Sequence, residues 1–295
     1  MKAVSHVLCT LAISALALSG CSEIRARKLA REGNQLYREG EYAAAIQKYD
    51  ASESLYPELA VVALNKGIAC RQQMVPGAKT PENERAVECA LKSFDRLGKL
   101  NPADERAEPL FVQTLFDADR YPTLEARYKG QIARNPKDLA ALNALIQVYS
   151  RWERWDEALA EMVRRSELQS NDAEAQYAVG AFIWSRLFQR GGGADKSGFD
   201  PRVEPKQPEP IFNVGDVVGT QRVALADKGI GFLEKALQLR PHYREAMTYM
   251  NLLYRQKSFA YFAKPEEWQK CIDTAESWRK KALEEGHEAP HPAAP

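Results

Sequence analysis

Histidine is nearly absent: a chain of 295 residues holds four. His6 lies in an apolar leader and His287 and His291 in a Pro-rich tail, so His242 alone falls inside a folding segment. No H-E-x-x-H, G-x-S-x-G or Cys-x-x-Cys occurs, which removes common zinc, serine-nucleophile and redox signatures. An excess of either charge is also missing, with 41 basic against 40 acidic residues. Removing residues 1–20 takes away only Lys2 and leaves the two equal. That balance argues against nucleic acid as the main partner and suggests no polybasic patch for lipid headgroups. Asp and Glu are abundant but fall among Lys and Arg on helix faces, the pattern of solvated surfaces with i,i+4 pairs. No enzyme, cofactor or metal site is expected. Beyond the leader no apolar run approaches the roughly twenty residues of a membrane-spanning helix.

The leader itself is informative. Lys2 is followed by Val7 to Leu18, apolar or small throughout, too short to span a bilayer and of the length of a signal-peptide core. It ends in Leu18-Ser19-Gly20-Cys21, which resembles the lipobox of bacterial lipoproteins. The resemblance implies cleavage before Cys21, acylation of its thiol (a palmitate-type anchor) and export. Ser22 is not the Asp that retains such proteins in the inner membrane, so the expected location is the periplasmic face of the outer membrane. Residues 21–25 would be the anchored N-terminus. Three cysteines then remain, Cys70, Cys89 and Cys271. Cys70 and Cys89 can form a bridge in an oxidising compartment, or stay as buried thiols that pack as small apolar residues.

A second regularity runs from Ala26 to Pro241. Pro102 and Pro136 stand thirty-four residues apart, each closing an apolar-periodic helix, and Ser170 continues the register. Pro57 and Pro241 close similar segments, with insertions accounting for the longer gaps. Gly33, Leu36, Ala45, Tyr49 and Pro57 mark the first unit; Leu142, Leu145, Tyr149, Trp155, Ala158 and Met162 mark the fourth. These residues resemble the tetratricopeptide repeat, a helix pair of thirty-four residues. The other copies depart from it: Val112 replaces a Gly and Leu124 an Ala in the third, and the sixth is partial.

The resemblance implies an all-α, right-handed α-solenoid of about five to six such hairpins over residues 26–285, interrupted near 75–85 and 189–223, with a disordered tail at 286–295. Each hairpin needs its neighbour to bury its apolar stripe. Residues 189–213 are rich in Gly and Pro and read as a long loop. Lys196-Ser197 there lacks the glycine spacing and the preceding strand of a phosphate loop.

In this family the first helix of each pair lines a concave groove that holds a protein or extended peptide. Carried over by position, the partner-binding residues are Asn34, Tyr37 and Arg38, then Asn143, Gln147 and Arg151, then Tyr177 and Trp184. Tyr177 and Trp184 can equally pack against the next repeat or the inserted loop. Asn34 and Asn65 match part of a carboxylate clamp known in the family, but Ala30 and Leu110 stand where its cations belong, and only Arg106 keeps a basic position. The expected function is a lipid-anchored, non-enzymatic scaffold in a bacterial cell-envelope machine, whether pilus, secretin, outer-membrane or gliding-motility apparatus. The runner-up is an accessory factor of peptidoglycan or polysaccharide synthesis or export, and an enzyme is a third class.

Overall fold

The computed structural model describes residues 21–190, 217, 219–261 and 264–288. The leader, most of the long inserted loop and the end of the tail lie outside these residues. Twelve α-helices are described: α1 (21–38), α2 (Tyr42–Leu55), α3 (Ala60–Gln72), α4 (Pro81–Leu100), α5 (Ala107–Asp117), α6 (Tyr121–Arg134), α7 (Leu139–Arg151), α8 (Trp155–Leu168), α9 (Ala173–Arg190), α10 (Gly219–Leu239), α11 (Arg244–Ser258) and α12 (Pro265–Glu288). A 3-10 turn, Phe259–Tyr261, follows α11. The chain divides into two compact units, residues 1–126 and 127–295.

The period is visible in the turns. Within hairpins one, three and four, the second residue after the first helix takes a left-handed backbone: Gly40 at φ 83°, Asp119 at 54° and Glu153 at 59°. The next amide then reaches back five residues, Glu41 N to Leu36 O at 2.9 Å, Arg120 N to Leu115 O at 2.8 Å and Arg154 N to Tyr149 O at 2.9 Å. This is the Schellman closure, which satisfies carbonyls the helix leaves unpaired. Between hairpins, Asp104, Asp138 and Asp172 recur at the thirty-four-residue spacing, each amide bonded three residues back to Asn101, Asn135 or Gln169. Asp138 then caps α7, its carboxylate accepting from Ala141 N at 3.0 Å.

Helix pairs close where the repeat places its smallest residues. A Cβ on Gly33 would lie 2.7 Å from the Tyr49 ring, and one on Gly67 2.5 Å from Phe94. Gly180 has the same relation to Leu233, at 2.5 Å. These contacts, with Ser52 Oγ donating to Ala26 O at 2.8 Å, make α1 and α2 antiparallel, as are α3/α4 and α9/α10. In the first unit the cores gather around Ala45, Tyr49 and Val62, then around Leu64, Phe94 and Leu97. The second unit has a larger cluster around Val179, Ile183, Leu187, Leu233, Met250 and Leu253.

Part of the segment expected as an insertion near 75–85 becomes helix. Thr80 caps α4 at Asn83 N, 3.2 Å, with Pro81 at the first helical position. The Asn83 side chain folds the loop back, accepting from Val75 N and donating to Ala78 O, both at 2.7 Å. Gly77 N then donates to Asp117 O at 3.0 Å, docking the loop at the end of α5. Similarly α9 reaches Arg190 and α10 begins at Gly219, so helix occupies both margins of the segment 189–223. Arg222 and Ala226, near the start of α10, are both buried.

Candidate functional site

The first-unit candidates converge. Asn34, Tyr37 and Arg38 from α1 line a cavity of about 330 Å³ with Tyr49, Asn65 and Ile68. Asn34 sits one residue beyond the crossing glycine, so its side chain falls at the seam between α1, α2 and α3. Its Oδ1 accepts from both Tyr49 Oη and Asn65 Nδ2, each at 2.8 Å. Both lone pairs of that oxygen are therefore engaged, which orients the two carboxamides. Asn34 Nδ2 and Asn65 Oδ1 then have no partner among the described residues, leaving a donor beside an acceptor. Burial pushes the Tyr49 hydroxyl up to about 12, so it remains a neutral donor at physiological pH. Arg38 has no ion pair among the described residues, and Tyr37 Oη accepts only a long bond from Gln72, 3.4 Å.

Asn65 is the site residue that a strict thirty-four-residue count misses, since that count leads from Asn34 to Ile68. Asn65 lies one helical turn earlier on the same face of α3. Cys70, further along α3, is bridged to Cys89 of α4 with Cα atoms 5.9 Å apart, resolving the two cysteine alternatives in favour of a disulfide. Cys21 is exposed at the first position of α1, and Cys271 is a buried free thiol.

The other candidates do not line that cavity. Asn143, Gln147 and Arg151 are exposed along α7, and Asn143 accepts from Arg165 of α8 at 2.7 Å. Tyr177 and Trp184 are half-buried and packed against the next hairpin. Tyr177 meets Tyr243 at 5.1 Å and Tyr249 at 5.4 Å, while Trp184 stands edge-on to Tyr249 at 5.3 Å and stacks on Phe188 at 5.0 Å. Of the alternatives for these two, packing against the next repeat is what the described residues show. Burial and the neighbouring Tyr249 push the Tyr177 hydroxyl up to about 12.

The remaining clamp position is taken internally. Arg106 holds Asp104 in a two-point contact at 2.7 and 2.8 Å, and this keeps the Asp104 carboxyl down at about 2. Ala30 is buried. His242 is exposed and lies 2.9 Å from Glu285. Among the described residues no three His, Cys, Asp or Glu side chains gather to hold a metal, and no helix is long and apolar enough to cross a membrane.

The hairpins define an all-α protein of tetratricopeptide-like helix pairs. No family model and no curated protein matches the chain. Solved structures similar to it include YrrB, described as a tetratricopeptide protein with an unusual peptide-binding site. It is 14% identical, with 74% of this chain and 88% of that one covered and a TM-score of 0.33. A MamA protein is 15% identical, covering 91% and 98% with a TM-score of 0.31. MamA from Desulfovibrio magneticus RS-1 is 13% identical, covering 90% and 98% at 0.30.

Proposed function

We propose that the chain is a lipid-anchored, non-enzymatic interaction protein that grips an extended polypeptide and serves a bacterial cell-envelope complex (pilus, secretin, outer-membrane or gliding-motility machinery). The observation that carries this reading is the pair Asn34 and Asn65, held by each other and by Tyr49. The pair presents one amide donor and one amide acceptor in a cavity walled by Tyr37, Ile68 and Arg38. A peptide backbone supplies the complementary carbonyl and N–H, and the aromatic and aliphatic walls suit a side chain on either side. The Cys70–Cys89 bridge favours an oxidising compartment. That fits export by residues 1–20 and acylation of Cys21 at the periplasmic face of the outer membrane.

The test is in-cell crosslinking and copurification from the parent, from Asn34→Ala/Asn65→Ala and from Asn143→Ala, with helicity checked by circular dichroism. The client is expected to disappear from the double variant and persist in Asn143→Ala. A full set of crosslinked proteins in a folded double variant would remove the groove from the mechanism. Fractionation of Cys21→Ala tests the anchor: it is expected to leave the membrane or to accumulate uncleaved, and normal processing and acylation would refute the lipobox.

A further inference from the structure

The neutral overall charge conceals a local excess at the start of α1. Arg25, Arg27, Lys28 and Arg31 fall within ten residues of Cys21, against one acid, Glu23. The helix sorts them. Ile24, Arg27, Lys28 and Arg31 follow an i, i+3, i+4, i+7 spacing, which aligns them on one face. All four are exposed, and Ile24 at 68% is the most exposed large apolar side chain among the described residues. The opposite face carries Ala26, Ala30 and Gly33, buried against the rest of the first unit.

Nearby acids neutralise one member of the stripe, Arg27, and leave its other two cations, Lys28 and Arg31, without an ion pair among the described residues. Glu23 is taken by Arg27 at 2.7 Å. Asp50 and Glu53 converge on Lys66 at 2.6 and 2.7 Å, and Glu32 is held by Lys48 at 2.7 Å. Among the described residues Arg25, Lys28 and Arg31 have no ion pair.

We propose that this stripe is a docking face for anionic lipid headgroups, laying the first turns of α1 on the membrane surface with Ile24 entering the headgroup layer. It rests on the reading of Cys21 as the lipid anchor. Helix begins at Cys21 itself, so no flexible spacer separates anchor from stripe, and a rise of 1.5 Å per residue keeps Arg31 within about 15 Å of it. An acyl chain and a basic surface together hold and orient a protein, where the chain alone only tethers it. Each basic side chain near an anionic surface strengthens attachment roughly fivefold. The stripe would thereby fix how the α1–α3 groove faces the membrane.

The test uses the processed protein isolated from membranes, with Ile24→Trp as a depth probe and the parent's own tryptophan signal subtracted. Quenching by brominated acyl chains is measured in phosphatidylcholine vesicles and in vesicles with about a third phosphatidylglycerol. Expected is quenching at least roughly twofold stronger with the anionic lipid, abolished by adding Arg27→Gln/Lys28→Gln/Arg31→Gln. Equal quenching in both lipids, or quenching indifferent to the triple change, overturns the proposal. Mass spectrometry of the N-terminal peptide reads the anchor separately. Acylation without stripe-dependent quenching leaves the anchor standing and sinks the stripe, and charge-dependent quenching of an unacylated chain does the reverse.

Discussion

The two units apply one packing rule and present opposite chemistry. In residues 1–126, Gly33 and Gly67 admit Tyr49 and Phe94; in residues 127–295, Gly180 admits Leu233. The first unit spends the resulting seam on amides: Asn34, Asn65 and Tyr49 bond one another and leave polar groups over. The second fills the corresponding helices with rings, Tyr177, Trp184, Tyr243 and Tyr249, which satisfy themselves by mutual contact. The first is cross-linked by Cys70–Cys89. The second instead buries cations. Arg222 is 2% exposed and donates to Gln256 at 2.7 Å and to Val217 O at 3.1 Å. Burial lowers Arg222 to about 10, which still leaves it protonated at neutral pH. Arg255 is likewise buried, bonded to Asn251 at 2.9 Å and paired with Glu276. A repeat framework thus fixes where side chains stand, and the local residue decides whether a position binds or packs.

Reducing the bridge should separate the units most. Its cysteines are 19 apart in sequence, and closing a loop of that size contributes about 3 kcal/mol. Dithiothreitol or Cys89→Ser should speed amide exchange in α3 and α4 and leave α9 to α11 unchanged. Equal acceleration in both regions would show that stability is shared. The next effect is in the second unit. Trp184→Ala should cost about 2 kcal/mol, since the ring is half-buried between Phe188 and Tyr249, and should spare the client. Client loss with an unchanged melting temperature would reverse the comparison, making the aromatic face the binding one.

The periodic prolines and the Gly and Ala slots made the helix pairs legible, because steric demands at a helix crossing leave few residue choices. The left-handed turns were harder to read: Gly40 announces one, but Asp119 and Glu153 do not, and Glu153 takes that backbone although it is neither Gly nor Asn. Asn34, Tyr37 and Arg38 could be assigned to one site by position. Asn65 lies in a different register and is paired with Asn34 in the sequence only through the clamp resemblance; the shared bond at Asn34 Oδ1 shows the two in direct contact. Tyr177 and Trp184 could not be decided in advance, since a ring at a groove position is equally suited to a ligand and to a neighbouring ring. Charge balance misled as well, because a sum over the chain has no memory of which helix face carries Arg27, Lys28 and Arg31.

The smallest effect sharpens the comparison at a single hydroxyl. Tyr49→Phe removes the donor to Asn34 and should cost about 1 kcal/mol at neutral pH. The penalty should then shrink in alkali. Burial raises this hydroxyl from its ordinary 10 to about 12, so the folded state keeps a proton that the unfolded chain releases first. Stability from this group is therefore complete below pH 10 and is lost as pH climbs towards 12. Urea midpoints measured across that window should fall more steeply for the parent than for Tyr49→Phe, and the two curves should approach each other. Tyr177 is raised in the same direction in the second unit, so the variant retains an alkaline loss there. Parallel curves would mean that Tyr49 does not hold its proton in the fold, and the bond that orients the Asn34–Asn65 pair would have to come from elsewhere.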